Sequence, residues 1–223
     1  MDKINTSDEE LFSKISHDLR GSFVSILGYS SILSDPNEEV SDSEVKEFAA
    51  RIDFRSKETY ELLESFTNWL KLERYSKSLN EEEIILFESV TAVQSLFQKD
   101  FNKKNIEISS EFEKSILVLF DVQIIQSLLK NIFSFINTSI KEKSELKIST
   151  ISNENKANLI FEFTSQLSEM EIHPLAKLKE NKIFFSDIPN EILFAKKFAE
   201  LCRGSVDLNV LEENKIVIEI VLP

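Results

Sequence analysis

The chain has 223 residues, a formal net charge of −13, and 42% hydrophobic, 10% aromatic and 29% charged residues. This suits one generous folded domain or two small ones, and it excludes a disordered chain. The acidic balance argues against nucleic acid as the main partner and against docking on an anionic membrane, because both need clustered Lys and Arg.

The first periodic segment, "TSDEELFSKISHDLRGSFVSILGYSSILSD", opens with a capping box, Ser7-x-x-Glu10. Its apolar stripe of Phe12, Ile15, Leu19, Ser22, Ile26, Tyr29 and Leu33 is spaced 3, 4, 3, 4, 3, 4, a heptad seam. A turn with Pro36 leads to a second capping box, Ser41-x-x-Glu44. The next helix carries Val45, Ala49, Ile52, Ser56, Thr59, Leu63, Phe66 and Leu70, widened by Phe48, Tyr60, Leu62 and Trp69. Two such helices joined by a short turn make a helical hairpin, which cannot cover its own apolar face. The breadth of the stripe favours a four-helix bundle made by two chains. The alternative is that the remainder of the chain covers it.

Residues 76–83 break the pattern and read as a linker, dividing the chain into domains 1–78 and 79–223. Beyond it the periods mix. "ILFESVTAVQSLFQKDFNKKN" predicts a helix, "IEISSEF" and "ILVLF" predict strands, and "DVQIIQSLLKNIFSFINTSIKEK" predicts a strong helix. Strands "ELKISTI" and "NLIFEFT" follow, then an irregular stretch containing His173, which reads as an ordinary loop residue. "PNEILFAKKFAELCRG" predicts a helix ending at Gly204 in the left-handed cap position, with Cys202 as a small buried core residue. A hairpin of "SVDLNV" and "KIVIEIVLP" closes the chain. The expected fold class is α+β: a helical hairpin followed by an α/β sandwich with one sheet covered on one face.

One segment concentrates rare residues. The chain has 2 histidines and 3 glycines, and "ISHDLRGSFVSILG" holds one of the former and two of the latter. The heptad phase puts His17 outward, on a stripe with Gly21, Val24 and Gly28 at spacings of 4, 3 and 4. Each helix-interior glycine costs roughly 1 kcal/mol relative to alanine, and close approach of another surface is the usual reason for one. An exposed imidazole is able to carry a group covalently, and Asp18 beside it can hold the ring tautomer if the two side chains lean together. Arg20, within one turn, can neutralise a phosphoryl group or serve as a surface ion-pair partner. An idle surface histidine, and packing of the glycine stripe against the second domain, remain the alternatives.

At these residues the sequence resembles the two-component histidine kinase core. "FSKISHDLRGSFVSILGYSSIL" is similar to that family's H-box, and "LLESFTNWLKLERYS" to its usual second-helix ending. The remainder follows the order of the family's Bergerat-like (GHKL) ATPase domain through to the final "LP". The resemblance implies a dimeric four-helix bundle with His17 as phospho-acceptor and Asp18 as its acidic neighbour. Ser22 replaces a family proline, and Gly21 stands where the family often has the Thr or Asn that supports phosphatase activity.

The same resemblance marks the second domain as degenerate. With Asn131 matched to the first Asn of the family's motif, Phe135 falls on the magnesium-binding position, and Asn137 reaches it only by a two-residue shift. "SQLSEMEIHP" stands in place of the Asp-x-Gly-x-Gly box and "SDIPNEILFAKK" in place of the last glycine box. A phenyl ring cannot ligate a hard cation, and no glycine stands between Gly28 and Gly204. The expectation is a fold kept without ATP use and no cofactor of its own, with Mg²⁺ supplied by a partner receiver.

The expected function is therefore that of a histidine phosphotransferase in a phosphorelay, closest in kind to dimeric phosphotransferases with a degenerate ATPase-like domain. His17 would pass a phosphoryl group between receiver aspartates, with Arg20, Gly21, Val24 and Gly28 forming the docking track. Its partners would be a second copy, response-regulator receivers and an upstream hybrid kinase. The alternatives are a non-catalytic pseudokinase that binds a kinase or regulator, and a divergent active kinase. No apolar run reaches membrane-spanning length, "MDKINTSDEE" does not read as a signal peptide, and the expected location is cytoplasmic.

Overall fold

A computed structural model describes residues 6–74, 80–153, 156–176 and 188–223. The chain divides into two units, Met1–Thr67 and Asn68–Pro223.

The first unit is the helical hairpin. Its helices are α1 (Thr6–Ser34) and most of α2 (Asp42–Arg74). The second capping box forms as the sequence predicts. Ser41 N–H donates to Glu44 Oε2 at 2.9 Å and Glu44 N–H donates to Ser41 Oγ at 3.4 Å. The Ser7 side chain of the first box lies outside the described residues. Within the hairpin Phe12 meets Phe66 edge-on at 5.3 Å, and Tyr29 stacks on Phe48 at 5.4 Å. These pairs set the antiparallel register. Leu11 joins Ile15 in the buried set although it stands outside the heptad stripe. Phe12, Phe23, Val24, Leu27, Val45, Phe54, Tyr60 and Leu63 remain exposed on the single chain.

The second unit starts in the last turns of α2, where Trp69 is buried. Its elements are β1 (Glu81–Ile85), α3 (Leu86–Lys103), β2 (Glu107–Glu111), β3 (Leu117–Asp121), α4 (Val122–Ser139), β4 (Glu145–Asn153), β5 (Lys156–Thr164), α5 (Glu169–Ala176), α6 (Asn190–Leu201), β6 (Ser205–Val210) and β7 (Lys215–Leu222). Five strands form one sheet in the order β2-β4-β5-β7-β6, parallel only between β2 and β4. β1 and β3 pair antiparallel in a separate two-stranded sheet. Strict alternation along β5 and β7 turns Leu159, Phe161, Phe163, Ile216, Ile218 and Ile220 inward. The helical layer meets that face. Phe133 of α4 lies edge-on to Phe161 at 5.4 Å, and α4 packs on both α3 and α6.

Three local readings need correction. Glu81–Glu83 belong to β1 and not to a linker; three consecutive acids fill the first positions of a five-residue, mostly exposed strand, so composition hid them. The irregular stretch contains α5, so His173 sits on a helix. Ser168 and Glu171 cap it, with Ser168 N–H donating to Glu171 Oε2 at 2.9 Å. The left-handed residue after α6 is Arg203, at φ 61°, and not Gly204. The cap is a Schellman motif with Gly204 N–H on Ala199 O (2.9 Å) and Arg203 N–H on Glu200 O (3.1 Å). Gly204 is needed for another reason: a Cβ there would lie 2.6 Å from the Val221 carbonyl oxygen. Cys202 is buried as expected, and burial pushes its thiol up to about 11.

Candidate functional site

α1 runs unbroken through the histidine segment, so helical geometry alone fixes which residues share a face. His17 points to solvent with its side chain 84% exposed. Sequence neighbours on a helix ordinarily diverge. Here the two side chains do lean together, with His17 Nδ1 3.2 Å from Asp18 Oδ1. A carboxylate only accepts hydrogen bonds, so this contact favours the proton on Nδ1, and in the neutral ring that leaves the lone pair on Nε2. The second Asp18 oxygen accepts a hydrogen bond from Lys14 Nζ at 3.0 Å. Lys14 was not singled out from the sequence. Its i, i+4 relation to Asp18 is visible there, but its burial is not.

The rest of the outward stripe is open. Val24 is 64% exposed, and a Cβ on Gly21 or Gly28 would meet no atom within 4 Å. No described residue comes within 4 Å of a Cβ at either glycine. Ser25 Oγ donates to the Gly21 carbonyl at 3.1 Å, satisfying the side chain without filling the track. Arg20 is exposed three residues beyond His17.

In the second unit the residues of the sequence-predicted nucleotide region are occupied with packing. Phe135 is 2% exposed and sits against Phe163 at 6.4 Å. Asn131 Nδ2 donates back to the Ser127 carbonyl at 2.8 Å, a local helix bond. The Asn137 carbonyl accepts from Lys104 Nζ, and its side-chain Oδ1 is buried without a hydrogen-bond partner among the described residues. After β5, the buried Ser165 hydroxyl donates to the Ser139 carbonyl at 3.1 Å. The Phe135 ring offers no oxygen ligand to magnesium, a hard cation that takes oxygen donors. Among the described residues no three His, Cys, Asp or Glu side chains converge as a metal site. No helix among them is long and apolar enough to cross a membrane.

No family model matches the chain, and no curated protein does. Solved structures do. The histidine kinase AdeS of Acinetobacter baumannii superposes at a TM-score of 0.68 and 15% identity, covering 92% of this chain and 96% of that one. The histidine kinase ThkA, solved in complex with the response regulator protein TrrA, gives 0.69 and 21%, covering 96% of this chain and 61% of that one. The ThkA catalytic domain alone gives 0.56 and 20%, over 65% of this chain and 97% of that one. A helical hairpin followed by a sheet-containing α/β unit, in this order and topology, is the fold of a histidine kinase core.

Proposed function

We propose that the chain is a histidine phosphotransferase of a phosphorelay, in which His17 takes a phosphoryl group from one receiver aspartate and gives it to another without using ATP. The observation that carries this reading is the pairing of an open, oriented imidazole on α1 with an apolar Phe135 where the resemblance places the magnesium ligand. In the forward step the Nε2 lone pair forms the N–P bond, and the P–O bond to the receiver aspartate breaks with its electron pair left on that carboxylate. Asp18 accepts the Nδ1–H hydrogen bond and so stabilises the imidazolium that forms. The reverse of this step, on a second receiver, completes the relay. The receiver brings its own Mg²⁺.

The partner class is supported by ThkA, a kinase of the same fold solved with a response regulator. Arg20, Gly21, Val24 and Gly28 form the track on which a receiver approaches His17. Residues 1–78 serve as the dimerisation and phosphotransfer hairpin and 79–223 as a degenerate ATPase-like domain. The apolar side chains exposed on the hairpin are covered by a second copy, giving a homodimeric four-helix bundle that works in the cytoplasm.

The test is labelling of the purified chain by a phosphorylated receiver. The expected result is acid-labile label on wild type, none on His17→Ala, and onward transfer to a second receiver. Label from ATP alone would overturn the ATP-independent reading in favour of a divergent kinase. Tight receiver binding with no label on His17 would leave a pseudokinase. A stable monomer by native mass measurement would sink the two-chain bundle.

A further inference from the structure

Asp18 divides its two carboxylate oxygens between a cation and a ring nitrogen. Lys14 Nζ donates to Oδ2 at 3.0 Å, and Oδ1 lies 3.2 Å from His17 Nδ1. Lys14 is unlike a surface ion-pair partner, because its side chain is only 11% exposed, against 29% for Asp18 and 84% for His17. Lysine is rarely this buried without a specific partner. As a helix staple the pair is also in the weaker order, with the cation N-terminal to the acid. Helix stability therefore gives little reason for it.

From this arrangement we propose that Lys14 is a positioning residue for the His17 reaction: it anchors Asp18 so that the other carboxylate oxygen, Oδ1, holds His17 in the Nδ1–H tautomer with Nε2 presented outward. The inference rests on the reading of His17 as the relay nucleophile. Its physical basis is independent of any receiver. Residues i and i+1 on a helix point about 100° apart, so an unrestrained Asp18 would turn its carboxylate to water and leave the imidazole to itself. Lys14, one turn earlier, sits on the same side of the helix as Asp18 and pins one oxygen. Little rotational freedom is then left for the other, which faces the ring. An ion pair that is largely removed from water is stiffer than an exposed one, because less screening competes with it. Lys14 acts through Asp18 and not on the phosphoryl group.

The tautomer is directly measurable in the full chain by long-range proton–nitrogen NMR of the imidazoles, at about pH 8.5, well above the ordinary histidine range. The wild type should show His17 mainly as Nδ1–H. Lys14→Met keeps the aliphatic stem without the charge, and it should move the ratio most of the way to the value of Asp18→Ala. Lys14→Arg should retain the wild-type ratio. His173, the only other histidine, should not move in any variant, which separates a local effect from a general loss of structure. Should Lys14→Met fail to fold, Lys14→Gln makes the same comparison with a neutral polar end. Receiver-to-His17 transfer should fall roughly 2- to 10-fold in Lys14→Met, the equivalent of one hydrogen bond, and recover in Lys14→Arg. A wild-type tautomer ratio in both neutral variants would overturn the proposal. If the ratio shifts as expected but no receiver ever labels His17, the relay reading fails and the positioning of the ring stands.

Discussion

In the α/β unit Phe133 meets three other phenyl rings, Phe97 at 5.8 Å, Phe101 at 6.4 Å and Phe161 at 5.4 Å. In the hairpin, Phe23, Val24, Leu27, Phe54 and Tyr60 stand exposed. The two units spend similar side chains differently. The sheet and its helices enclose their apolar faces within one chain, so each ring there contributes to that unit's own stability. The hairpin buries Leu11 and Ile15 but leaves much of its apolar surface exposed on the single chain.

The glycines divide the same way. At Gly204 the β7 backbone is so close that a side chain has nowhere to go, whereas Gly21 and Gly28 face open space. Gly204 is required by a backbone contact, and no such contact requires the other two.

The largest effect that this comparison predicts is on the enclosed core. Phe133→Ala removes a fully buried ring and should cost about 3–5 kcal/mol of the α/β unit's stability, measured by denaturant unfolding. Phe23→Ala on the hairpin should leave the stability of the single chain nearly unchanged. Equal losses at the two sites would break the distinction between them.

A smaller contrast uses the glycines. Gly204→Ala should destabilise by roughly 1–3 kcal/mol, because the Val221 carbonyl is backbone and β7 must shift to admit a methyl group. Gly21→Ala should instead stabilise α1 by about 1 kcal/mol, since nothing crowds the new Cβ. If the track serves a docking partner, the same Gly21→Ala should slow receiver transfer while raising the thermal midpoint. A variant that gains stability and loses transfer separates packing from docking in one protein.

Much of this was legible in the sequence, for identifiable reasons. Heptad spacing and the Ser41–Glu44 box located the hairpin, and period-2 alternation located β5 and β7, because these elements bury one continuous face. The outward phase of His17 followed from helical geometry alone. β1 escaped notice because Glu81–Glu83 carry almost no apolar signal, and its partner β3 lies some 35 residues away. α5 escaped because it is 8 residues long with Pro174 inside, although Ser168-x-x-Glu171 was a readable start signal. The cap after α6 was misassigned by one residue, since sequence statistics favour Gly in the left-handed position and cannot see the Val221 carbonyl. The Lys14–Asp18 spacing was in plain view. What it lacked was burial, which is a tertiary property.

The smallest predicted effect is shared by both units and sharpens the comparison by being equal in each. Ser41 caps the hairpin's second helix and Ser168 caps α5, each binding a glutamate three residues on. Hydrogen bonds from the serine hydroxyl and backbone amide hold the carboxyls of Glu44 and Glu171 below the ordinary value of 4.5. A carboxyl with a lowered pKa in the folded state stabilises it fully above the unfolded value, and that contribution fades as pH falls through the folded one. Both caps should therefore loosen in the same window, below pH 4.5, although one belongs to the exposed hairpin and the other to the enclosed unit. Carboxyl carbon NMR reads each glutamate separately. Ser41→Ala should raise the Glu44 midpoint to the ordinary range and leave Glu171 where it was; Ser168→Ala should do the reverse. A change at both sites from either substitution would mean that the two units do not respond locally to acid, and the separation drawn between them would fail.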